Sequence, residues 1–112
     1  MKRFLAIIIL SVILVGCGSK LPKYMNQQTY DLVMQAIPWC ERYDEGKITV
    51  EELKKEIDKI NDEVTALELS DNMESLTNLS ISSALRAISS ASWQGNASFY
   101  EGYDKLKEYL AR

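Results

Sequence analysis

Apolar side chains recur through most of this chain at three- and four-residue intervals, the spacing that lines up one face of an α-helix. Over residues 29–45 they are Leu32, Val33, Ala36, Ile37, Cys40 and Tyr43, with Pro38 inside the run. A proline lacks the amide donor and crowds the carbonyl four residues back, so a kink or a break is expected there. The next segment, Gly46-Lys47-Ile48-Thr49, reads as a corner between helices. Gly46 suits the left-handed residue that ends one helix, Thr49 and Glu52 form a capping box for the next, and Ile48 can staple Leu53. The second helix carries Val50, Leu53, Ile57, Ile60, Val64 and Leu67 in alternating three-four spacing, with Glu51, Lys55, Glu56 and Lys59 on its polar side.

A third helix is expected from a cap at Ser70 or Asp71, with Leu76, Leu79, Ser83, Ala84, Ala87, Ile88 and Ala91 along its inner face. Small residues at Ser80, Ser83, Ala84, Ala87 and Ala91 would let a neighbouring helix approach closely. Gly95-Asn96 interrupts the pattern, after which Asn96 or Ser98 can cap a last helix bearing Phe99, Tyr103, Leu106 and Leu110. No segment alternates with the period of a β-strand. The fold class expected is therefore all-α, a small antiparallel three- or four-helix bundle occupying residues 29–112.

The N-terminus follows a different rule. Met1-Lys2-Arg3 is basic, and residues 4–15 are an apolar run interrupted only by Ser11, short for a bilayer span and fitting for the core of a signal peptide. The run ends in Leu14-Val15-Gly16-Cys17. These residues resemble the lipobox of bacterial lipoproteins, which implies cleavage between Gly16 and Cys17 and a diacylglyceryl group on the Cys17 thiol. Residues 1–16 would then be a signal peptide and residues 17–28 the lipidated N-terminus and tether, with Pro22 disfavouring helix at Leu21. The resemblance implies a chain held by lipid to the extracytoplasmic face of a membrane, the cell membrane or, in a Gram-negative host, the outer membrane. Its first partner would be the bilayer, reached through acylated Cys17, since two acyl chains suffice for durable anchorage.

Composition narrows the chemistry. The 112 residues hold 13 basic and 16 acidic side chains. Loss of Lys2 and Arg3 with the signal leaves roughly 11 against 16, or about −5, so nucleic acid is not an expected partner. There is no histidine, which removes the usual general base and the commonest metal ligand. If lipid claims Cys17, Cys40 has no intrachain partner and reads as a small buried apolar residue. The carboxylate pairs Asp44/Glu45, Glu51/Glu52 and Asp62/Glu63 fall on polar faces or at a turn. No catalytic residue, metal or cofactor is expected, and the chain does not read as an enzyme.

Within residues 41–53, Gly46, Ile48, Thr49, Glu52 and Leu53 resemble the second half of an EF-hand or dockerin calcium loop. The resemblance would make Glu52 the bidentate ligand and Gly46 the sharp turn. Glu41, Tyr43 and Glu45 depart from that pattern, and a glycine C-cap followed by a capping box produces the same letters without an ion. The stretch also resembles a helix-corner-helix pattern in small bacterial proteins, which implies no activity. The heptads of the second helix resemble the murein lipoprotein in plan, although they last only about three repeats and the last residue is Arg112. Among the aromatics, Trp93, Tyr100 and Tyr109 fall off or beside the core stripe and form the candidate binding surface, with another envelope protein as the expected partner.

Overall fold

The computed structural model describes residues 21–112, which form an all-helical bundle with no strand among them. The lipobox residues Gly16 and Cys17 and the signal segment 1–16 lie outside the described residues. The helices are α1 (Gln27–Asp44), α2 (Val50–Thr65), α3 (Asn72–Ser89), the single turn α4 (Ala91–Gln94) and α5 (Asn96–Leu110). None is long and apolar enough to cross a membrane.

α1 starts two residues before the expected Thr29, because the Asn26 side chain caps it by accepting from the Gln28 amide at 2.8 Å. It runs unbroken through Pro38. Pro38 and Met34 are both exposed, so the Met34 carbonyl that loses its amide donor faces water instead of an apolar interior. The corner after α1 is built as its letters indicate. Gly46 adopts φ 76°, its amide meets the Tyr43 carbonyl at 3.0 Å, and the Lys47 amide meets that of Arg42 at 2.8 Å, the paired bonds of a Schellman ending. Thr49 Oγ1 then accepts from the Glu52 amide at 3.1 Å while Glu52 Oε1 accepts from the Thr49 amide at 2.9 Å.

α2 turns Leu53, Ile57, Ile60 and Val64 into the core, so its apolar stripe is used within the fold. α3 is capped by Asp71, whose carboxylate accepts from the Glu74 amide at 2.9 Å. Its inner face differs from the expected one. Thr77, Asn78, Ile81, Ser82, Ala84, Leu85 and Ile88 are buried, whereas Leu76 and Leu79 are 57% and 67% exposed and Ser83 is exposed too. Polar side chains occupy the inside here because their hydrogen bonds are met. Thr29 donates to Asn78 Oδ1 at 2.8 Å, Asn78 Nδ2 donates to the Val64 carbonyl at 2.9 Å, and Ser82 donates to Asn61 at 2.8 Å. Asn78 thereby ties α1, α2 and α3 together.

The close approach expected on the small-residue face occurs against α5. Gly102 packs so tightly on α3 that a Cβ there would stand 2.4 Å from the Ala84 carbonyl oxygen, and Ser98 donates to the Ala87 carbonyl at 2.5 Å. Neither Asn96 nor Ser98 caps α5, which starts after Gly95 without a side-chain cap. Phe99, Tyr103 and Leu106 are buried as expected and Leu110 is half-buried. Each fully buried side chain of the size of Leu53, Ile57, Leu85, Ile88 or Phe99 contributes about 1.5–3 kcal/mol of transfer free energy.

Candidate interaction surface

Two hydrogen bonds give the bundle its polarity. Asn26 Nδ2 reaches Glu74 Oε1 at 3.3 Å and Thr29 reaches Asn78, so α1 and α3 start at the same end and run in the same direction. The chain enters the domain at that end. At the other end, where α1 stops, Tyr43 donates to Asn96 Oδ1 at 2.5 Å and Tyr100 donates to Asp44 Oδ1 at 2.5 Å, joining α1 to the start of α5. The 18 residues of α1 separate the two ends by about 26 Å at 1.5 Å per residue.

The far end is organised around Phe99, which is fully buried. Tyr43 and Tyr100 meet its ring edge-on, with centroids 4.8 and 4.9 Å away, and Tyr103 lies tilted at 5.4 Å, arrangements that aromatic quadrupoles favour. The bond to Asp44, together with burial and neighbouring acids, raises the Tyr100 phenol above its ordinary range, and Asp44 thus holds the hydroxyl protonated as a donor. Burial, reinforced by Glu41, pushes Tyr103 up to about 12.

Of the three expected surface aromatics, Trp93 is 72% exposed on α4, and Tyr100 is 44% exposed in the first turns of α5. Tyr109 belongs elsewhere. Nine positions along one helix are about 2.5 turns, so Tyr109 and Tyr100 point to opposite sides of α5. Tyr109 is half-buried, with the Arg112 guanidinium 4.1 Å from its ring. Trp93 and Tyr100 therefore share the far end and Tyr109 does not.

The remaining candidate chemistry is spoken for. Cys40 is fully buried, and burial, aided by the Glu41 charge, pushes its thiol up to about 12, so it stays protonated and inert at neutral pH. In the calcium-like corner, Glu52 Oε1 is engaged in the capping box, Glu45 pairs with Lys47 at 3.1 Å and the Tyr43 hydroxyl is bound to Asn96. No group of three or more His, Cys, Asp or Glu side chains gathers as a metal centre among the described residues. A groove of about 300 Å³ does open near the entry end, lined by Leu67, Leu69, Ser75, Leu79 and their neighbours. Local hydrophobic spacing does not report this groove, because it assigns Leu79 to the inner stripe. No protein-family model, curated protein or solved structure matches the chain.

Proposed function

We propose that this chain is a bacterial lipoprotein, cleaved after Gly16 and acylated on Cys17, whose helical domain acts at the extracytoplasmic membrane face as an interaction module for another envelope protein. The observation that carries the proposal is the run of residues 4–15 ending in Leu14-Val15-Gly16-Cys17. Pro22, five positions after Cys17, is already buried in the domain, so a lipid on Cys17 would keep that domain beside the bilayer. Trp93 is the most exposed large apolar side chain among the described residues and sits at the end away from the tether, where a second envelope protein could reach it. Large aromatics of this kind carry much of the binding energy where proteins meet.

The test is photo-crosslinking in cells from position 93 of the full chain, beside a Cys17→Ser version and a crosslinker at exposed Lys55. One discrete adduct seen from position 93, absent from position 55 and diminished by Cys17→Ser, is the expected result. Equal diffuse labelling from both positions would remove the interaction role.

A further inference from the structure

Five of the eight exposed large apolar side chains among the described residues lie at the end where the chain enters: Leu21 and Tyr24, and Met73, Leu76 and Leu79 in the first turns of α3. The last three are spaced by three along the helix and form a stripe opposite the buried Thr77, Asn78 and Ile81. Leu79 continues the stripe into the groove that Leu69 lines. From these positions we infer that the entry end of the domain docks on the surface of the bilayer itself, seating Leu21, Tyr24, Met73 and Leu76 at the headgroup boundary. The inference rests on acylation of Cys17.

Chain length fixes the occupant. Leu21 stands four positions after Cys17, and even fully extended those four steps span at most about 14 Å. The described domain measures 35 × 34 × 20 Å. A leash so much shorter than the body it holds cannot let the domain turn its entry end away from the membrane, so this apolar end always lies next to lipid.

The turn at the entry adds an independent reason. The Met25 amide bonds to the Pro22 carbonyl at 3.1 Å, closing a turn whose third residue, Tyr24, has φ 60°. That position favours glycine, and a side chain there is held against its own preference. The result is that Met25 enters the core while the Tyr24 ring is left 48% exposed. Lys23 Nζ lies 5.3 Å from that ring, a pairing of amphipathic aromatic and long basic side chain that suits the interface between hydrocarbon and headgroups. Glu68, Asp71 and Glu74 set negative charge against Lys23 at the same end, so no basic cluster among the described residues calls for anionic headgroups. Docking is accordingly apolar, and neutral lipid suffices.

The lipidated mature chain, in phosphatidylcholine vesicles, tests this with a fluorophore on Glu68→Cys at the entry end or Gln94→Cys at the far end. The buried Cys40 thiol is spared by the label. Lipids carrying a nitroxide at the headgroup should quench the residue-68 probe at least threefold more than the residue-94 probe. Leu76→Asp, and separately Leu76→Ser, should cut the residue-68 quenching at least twofold, leaving what the tether alone imposes, without lowering helical content, since Leu76 is exposed. Intact-mass measurement on the same sample reports acylation. An unacylated Cys17 would remove the anchorage and this inference with it, whereas an acylated chain whose residue-68 quenching is unchanged by the Leu76 substitutions would overturn the docking alone. A Leu76 effect on residue-68 quenching that is present in vesicles crowded with protein and absent after dilution into excess lipid would assign the stripe to a second copy of the chain, and would also overturn it.

Discussion

Replacing Gly102 with alanine sets two effects of opposite sign against each other, and the geometry decides between them. In an open helix the change gains about 0.8–1.0 kcal/mol of helix propensity. At Gly102 the new Cβ would stand 2.4 Å from the Ala84 carbonyl oxygen, 2.7 Å from Ile88 Cγ1 and 3.0 Å from the Ile88 amide nitrogen. Two of these are backbone atoms of α3, and Ile88 is fully buried, so relief requires the two helices to part. Overpacking typically costs 1–3 kcal/mol, and a backbone obstacle belongs at the upper end, leaving a net loss of about 1–2 kcal/mol. For a domain of this size each kcal/mol moves Tm by about 4–8 °C, so a fall of roughly 5–15 °C is expected. The assay is thermal and urea unfolding of the mature chain carrying Cys17→Ser, in which the urea midpoint should drop with the slope unchanged. A Tm equal to or above that of the parent would mean that α3 and α5 do not touch at Gly102.

Asn78→Ala should cost about 2–3 kcal/mol, since it removes two buried hydrogen bonds and leaves the Thr29 hydroxyl and the Val64 carbonyl short of a partner; urea unfolding reads it, and a loss under 0.5 kcal/mol would show that Asn78 does not tie the helices together. Cys40 should resist iodoacetamide at pH 8 in the folded chain and react once urea unfolds it, and fast alkylation under native conditions would contradict its burial. The Cys40 thiol and the Tyr103 phenol are both held protonated by the fold, up to about 12. The unfolded chain gives up those protons first, near 9 and 10, so their contribution is complete below pH 9 and is lost as pH rises from there to about 12. The urea midpoint should therefore fall across that interval, and a flat profile would contradict it. Trp93→Ala should leave Tm unchanged within about 2 °C, because an exposed side chain contributes little packing, while the adduct captured from a crosslinker at the neighbouring exposed Gln94 is lost.

The corner between α1 and α2 was legible residue by residue, because caps are local: Gly46, Thr49 and Glu52 need only their neighbours in sequence to do what they do. The face of α3 was not. Ranking by hydrophobicity puts Leu76 and Leu79 inside, whereas burial of Asn78 depends on Thr29 and Val64, partners 49 and 14 residues away, which no local pattern reports. Gly102 is silent for the same reason, since a glycine within a helix announces a close approach only once the neighbouring helix is known. The surface aromatics divided along helical geometry. Trp93 and Tyr100 came to the same end of the bundle, and Tyr109, half a turn out of phase with Tyr100, came to rest on the other side of α5.

Lipidation of Cys17 is read from the mass of the N-terminal peptide of the protein isolated from cell membranes. The expected peptide begins at residue 17 and its cysteine carries a diacylglyceryl group, with nothing of residues 1–16 attached. A membrane-derived peptide that retains Met1, or one that begins at residue 17 with a free thiol, would contradict it.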